Sequence, residues 1–234
     1  MSSGAVETAS SAIQSKLNWL RAGVLGANDG IVSTAGIIFG VAGASASHAT
    51  IMLAGIAAVV AGALSMAAGE YVSVSAQRDI ERSELDREKE ELAREPLQEL
   101  AELAQLFEQR GVDPPTAKIV AREMTAKDAL GVHARAELGI DPENVTNPWA
   151  AAGSSMVSFI VGGLVPLLAM VLSPRAIEIW VAGVAVVIAM ILTGAISARL
   201  GRIAVVRSVI RNVAGGLLAM AVTYGVGNIA GTQL

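Results

Sequence analysis

The chain contains no cysteine and only two histidines in 234 residues. Disulfides and thiolate metal sites are therefore excluded. Aromatic residues make up 3% of the chain, so its 53% hydrophobic content is mostly Ala, Val, Ile and Leu. Charge is missing in blocks. Residues 144–174, 179–198 and 212–234 carry no Asp, Glu, Lys or Arg. Runs of about 20 such residues match a bilayer hydrocarbon core of about 30 Å. The mean hydropathy of +0.56 agrees with that class. Residues 1–16 lack the basic start and apolar stretch of a signal peptide and are expected to form a mobile tail. The first span would then serve as its own insertion signal.

What is present divides into two kinds of material. Apolar periodicity predicts an all-α polytopic membrane protein with helices near 19–44, 51–76, 149–172, 177–198 and 207–231. The segments are a tail (1–16), spans one and two (17–76), a cytoplasmic acidic helical insert (77–147) and spans three to five (148–234). In that arrangement 16 of the 17 Lys and Arg residues fall on one side, with Arg175 alone on the other. The positive-inside rule places the N-terminus and the insert in the cytoplasm. The insert holds 17 of the 21 acids and 10 of the 17 bases. Glu81, Glu84, Glu88, Glu91 and Glu95 recur at helical spacing. Pro96 breaks the run and suits the first turn of a second helix. Asp113-Pro114-Pro115 reads as the cap and start of a third, running towards Gly139. The second span meets no breaker before Pro96 and is expected to continue into the insert.

Two carboxylates interrupt an otherwise uncharged stretch. Asp29 and Glu70 are the only acids between Ala22 and Gln77, which has no Lys or Arg. A charge at bilayer depth costs roughly 2.5–3.5 kcal/mol on insertion scales, so such residues usually line a pathway. Asp29 lies in Asn28-Asp29-Gly30, whose residue types also suit a turn or cap. Met66 and Glu70 stand at i and i+4 on one helix face. A thioether beside a carboxylate suits a borderline ion such as Fe²⁺ better than Ca²⁺ or Mg²⁺. Plain packing is the alternative for Met66, and an interfacial position the alternative for Glu70.

The insert offers a second candidate site. If the chain reverses near Glu95, Glu88 faces Glu102 and Glu91 faces Glu99. Four convergent carboxylates repel one another unless a cation holds them. The alternative is a solvated face interleaved with Arg87, Lys89 and Arg94. His133 and Glu137 are also i and i+4, and His133 reads as a ligand or as a surface residue. His48, in the short loop on the far side, has no evident partner.

Three blocks carry a family resemblance: Asn28-Asp29-Gly30-Ile31-Val32-Ser33, Ser65-Met66-Ala67-Ala68-Gly69-Glu70-Tyr71-Val72-Ser73 and Gln77-Arg78-Asp79-Ile80-Glu81. Over about residues 16–232 the chain resembles the vacuolar iron transporter family, as a bacterial-type member that keeps the cytoplasmic insert some branches lack. The resemblance implies a five-span homodimer that exports Fe²⁺, and often Mn²⁺, from the cytosol in exchange for protons. It implies a pathway between subunits at Asp29, Met66 and Glu70, and metal ligands at Glu88, Glu91, Glu99 and Glu102, with Glu137 beside them. Some relatives have methionine near His133, so the histidine here is a departure.

The expected function is a proton-coupled transporter with Fe²⁺, Mn²⁺, Zn²⁺ or Co²⁺ as substrate and bound ion. No prosthetic group and no nucleic-acid partner are expected. The setting would be an inner membrane in a bacterium or a vacuolar membrane in a eukaryote. One rival is a membrane-anchored acidic scaffold, which has no use for Asp29 and Glu70. The other is a di-iron carboxylate enzyme, which needs Glu three residues before His on facing helices. Leu130 stands there instead.

Overall fold

The computed structural model describes residues 3–232, with side chains from Gly23 onward. Among the described residues it is all helical. The elements are α1 (Ser3–Gly43), α2 (His48–Arg94), α3 (Pro96–Gln109), α4 (Pro114–His133), a π-helical turn (Ala134–Leu138), α5 (Pro148–Val171), α6 (Glu178–Leu200) and α7 (Val205–Gly231). The backbone of residues 3–16 is helix, where the sequence suggests a tail. Ala-rich composition without proline explains the difference. The side chains of Lys16 and Arg21 lie outside the described residues.

The chain forms two compact units, Met1–Tyr71 with Trp149–Leu234, and Val72–Pro148. In the first unit, five helices are long and apolar enough to cross a membrane: Gly23–Gly43 of α1, α2, α5, α6 and α7. The unit packs by close backbone approach. A Cβ on Gly30 would overlap the Phe159 carbonyl, and one on Gly162 the Ala27 carbonyl, so glycine sets the α1–α5 distance. Gly36 is buried, and Gly36 and Gly40 both face Thr223 on α7. That pair is used up within the chain and is not free to meet a second copy. Tyr71 and Trp149 pair with ring centroids 4.6 Å apart. Trp180 is 79% exposed at the start of α6. Amphipathic rings of this kind collect at membrane–water boundaries.

His48 does have a partner. Its Nδ1 lies 2.7 Å from Oε2 of Glu178, whose side chain is 9% exposed. Glu178 occupies the first turn of α6, where the positive helix end favours a carboxylate. Sequence reasoning misses the pair because 130 residues separate its members.

In the second unit, Pro96 ends α2 at Arg94 and takes the first turn of α3. Asp113 caps α4, its carboxylate accepting from the Thr116 amide at 3.2 Å. The core is Leu103, Ala104, Ala121 and Val132. The third helix is not the continuous one expected. Asp128 is non-helical (φ −157°, ψ 82°) and caps the restart, accepting from the Gly131 amide at 3.0 Å. The backbone then widens into the π-helical turn, which ends at Gly139 (φ 67°).

Candidate metal centre

Four side chains of the second unit converge: Glu88 from α2, Glu99 from α3, His133 from the end of α4 and Glu137 from the π-helical turn. One ligand atom from each lies within 4.8 Å of every other. Three of the four are buried, with His133 at 0%, Glu88 at 2% and Glu99 at 6% exposure, and Glu137 is half-buried. His133 Nδ1 is 3.1 Å from Glu137 Oε1, 3.4 Å from Glu88 Oε1 and 3.8 Å from Glu99 Oε2. Its Nε2 faces Thr125 Oγ1 at 3.3 Å.

Local structure produces this convergence. Pro96 turns the chain so that α3 presents Glu99 beside Glu88. The break at Asp128 and the π-helical turn place His133 and Glu137 against them. Single extra-residue π-turns within helices are often found at functional sites.

The electrostatics favour relief by a proton or a cation. Burial pushes the Glu137 carboxyl up to about 7, with Glu99, Glu102 and Glu91 adding to the rise. Burial, and then Glu137 and Glu91, raise Glu88. Burial, and then Glu88 and Glu102, raise Glu99. Burial lowers His133, favouring the neutral imidazole that binds metals. Glu88 Oε1 is buried without a hydrogen-bond partner. An orphaned buried carboxylate oxygen is costly unless something positive meets it. Three carboxylates and one imidazole suit a first-row divalent ion. With an ion on Nδ1, the His133 Nε2–H can donate to Thr125, the outer-shell support metal-bound histidines usually have.

The expected pairing of Glu88 with Glu102 and Glu91 with Glu99 is therefore corrected. Glu102 is exposed and accepts from Gln98 Nε2 at 3.0 Å. Glu91 is half-buried, 3.8 Å from Arg87 Nε. Both remain near enough to perturb the inner carboxylates. His133 is the centre of the cluster rather than a surface residue. Sequence reasoning missed Thr125 and Asp128; the Asp-x-x-Gly spacing of Asp128 and Gly131 is the signal that finds the break.

In the first unit the candidate pathway residues are more open. Asp29 is exposed on α1, with its backbone carbonyl accepting from Ser33 Oγ at 2.6 Å. Met66 and Glu70 are half-buried on α2. Neither the Asp29 nor the Glu70 carboxylate has an ion-pair partner among the described residues. Asn28 points elsewhere, accepting from Thr193 Oγ1 on α6 at 3.3 Å.

Comparison with known proteins agrees with both halves of the chain. A family profile described as the VIT family matches residues 20–228. A vacuolar iron transporter of Acanthamoeba castellanii is 45% identical over 219 residues, covering 92% of this chain and 79% of its own. Vacuolar iron transporter homolog 1 of Oryza sativa subsp. japonica is 37% identical over 216 residues, covering 90% and 73%. Vacuolar iron transporter homolog 3 of Arabidopsis thaliana is 34% identical over 219 residues, covering 93% and 86%. The chain, with its apolar helices and its separate acidic unit, belongs to the VIT family.

Proposed function

We propose that the chain is a proton-coupled exporter of Fe²⁺, with Mn²⁺ as a second substrate. The observation that carries the reading is the quartet of Glu88, Glu99, His133 and Glu137 in a chain whose relatives are named vacuolar iron transporters. Those names belong to transporters, which leaves the di-iron enzyme and the scaffold without support.

In this reading the quartet gathers the ion from the cytosol, with Glu91 and Glu102 drawing it in. Met66, Glu70 and Asp29 then carry it through the membrane. Protonation of Asp29 or Glu70 on the far side releases the ion and supplies the exchange. The distribution of bases supports a cytoplasmic N-terminus and insert.

The pathway forms between two copies of the chain. Asp29 faces outward on a single chain, and α2 leaves Leu53, Ile56, Val60 and Leu64 exposed along one face. A second copy brings two such faces together, so that the carboxylates enclose a conduit neither chain has alone.

The test is uptake into proteoliposomes that report internal metal and pH together. Fe²⁺ entry with matched proton exit, saturable by Mn²⁺, is expected. Metal flux unaffected by collapse of the proton gradient would remove the coupling.

A further inference from the structure

The turn between α6 and α7 presents a feature that metal transport does not use. Four arginines, Arg199, Arg202, Arg207 and Arg211, fall within thirteen residues, and no Asp or Glu follows Glu178. All four are exposed. None takes part in an ion pair among the described residues. Arg207 and Arg211 stand at i and i+4 on α7, where like charges repel.

A cavity of about 500 Å³ opens beside Arg211, between α1, α6 and α7. Its polar lining comprises Asn28, Thr193, Ser197, Ser208, Arg211 and Asn212, with no carboxylate. Thr193 and the Asn212 amide occupy one another, 3.0 Å apart, and the same amide donates to the Met190 carbonyl at 2.8 Å. Ser208 is 4% exposed and lines the cavity. Apolar side chains of α1 close the opposite wall. The positive-inside rule accounts for arginines at a helix end. It does not account for a cavity of this size lined by Arg211 and the nine-tenths buried Ser208, with no carboxylate on its lining.

We propose that this cleft binds the phosphate of an anionic phospholipid. Arg207 and Arg211 would clamp the phosphate oxygens, Ser208 would donate to one of them, and the apolar wall would receive the start of an acyl chain. Guanidinium groups suit this task because their planar donors match a phosphate in paired hydrogen bonds. The depth is right for a headgroup. Arg211 lies six residues into α7, roughly 9 Å from its start at 1.5 Å per residue. A lipid so placed would tie α6 to α7 and neutralise a repulsion that no carboxylate among the described residues relieves.

The experiment is native mass spectrometry of the full chain in detergent, titrated with phosphatidylglycerol, phosphatidylcholine or inorganic phosphate, with thermal shift in parallel. Phosphatidylglycerol should be retained and raise the melting temperature, and phosphatidylcholine should not. The pair Arg207→Gln and Arg211→Gln should lower phosphatidylglycerol retention about tenfold or more, as loss of charged hydrogen bonds implies. Arg175→Gln, at the other end of the bundle, should leave it unchanged. The pair Arg207→Lys and Arg211→Lys, which keeps the charge and loses the fork, also tests the site if the glutamine form fails to insert; it should retain less than the wild type. Equal retention by the lysine pair and the wild type would overturn the proposal. A thermal shift from inorganic phosphate equal to that from the lipid would overturn the lipid assignment.

Discussion

The acids of the two units are placed in opposite ways. In Val72–Pro148 Glu88, Glu99 and His133 are buried together with the half-buried Glu137 beside them, all from one chain. In the first unit Asp29 is exposed and Glu70 half-buried, with no ion-pair partner among the described residues. A buried cluster of acids is relieved by protons or by a cation. A lone carboxylate on an open helix face becomes a site only when another surface completes it.

The sharpest way to break the contrast is to neutralise the open carboxylates. Asp29→Asn and Glu70→Gln should each abolish Fe²⁺ flux in proteoliposomes, while chromatography and melting temperature stay near wild type. Metal binding to the quartet should survive in both. Flux that persists in either variant would return that residue to a cap or an interfacial role.

Next in size is the closed cluster. Glu88→Gln with His133→Ala should weaken Mn²⁺ binding to the full chain by more than the roughly 10–100-fold typical of losing an outer-shell partner. Thr125→Val removes only such a partner and should fall within that range. Titration calorimetry on the purified protein distinguishes them, and equal affinity in all three proteins would dissolve the centre.

Protons should compete with the ion. Because the Glu137 carboxyl rises to about 7, metal affinity should fall as pH drops through that value. Ion-free stability should move the other way. Glu88, Glu99 and Glu137 hold protons more tightly folded than unfolded, so their contribution is full below the usual 4.5 and is lost as pH rises through the raised values. His133 is lowered, so its contribution is present above its usual 6.5 and lost on acidification through its folded value. Between pH 6 and pH 8 the Glu137 carboxyl, raised to about 7, sets the sign, and the metal-free melting temperature should be lower at pH 8 than at pH 6. Added Mn²⁺ should raise it most at pH 8. Melting curves across pH, with and without Mn²⁺, check both signs.

The smallest effect concerns the interface. Cysteine at Val60 or Leu64, introduced into a chain that has none, should cross-link two copies at a modest yield. Cysteine at Gly36, which packs against Thr223, should not. The reverse result would move the interface off α2.

Much of this was legible in the sequence because apolar runs and charge blocks are one-dimensional signals. The absence of a breaker before Pro96 announced the unbroken α2, and Glu70 and Asp29 stood out by their surroundings. The rest needed three dimensions. Spacing along α2 and α3 describes a two-helix hairpin, so it pairs Glu88 with Glu102. The third helix occupies one side of that hairpin, buries Glu88 and Glu99 against His133, and leaves Glu102 to Gln98. The glycines at 36 and 40 show that a backbone can come close, not which backbone. His48 and Glu178 meet only because two loops share one end of the bundle.

The break at Asp128 and the π-helical turn bear on time rather than affinity. His133 sits between a discontinuity five residues before it and a widened backbone just after it. Few regular hydrogen bonds need to be lost for the ring to swing away from its three carboxylates. A site in the middle of an unbroken helix would surrender its ion only by wider unfolding. A ligand mounted on a short, irregular segment permits a brief residence even where equilibrium binding is strong, which is what a relay requires and a reservoir does not.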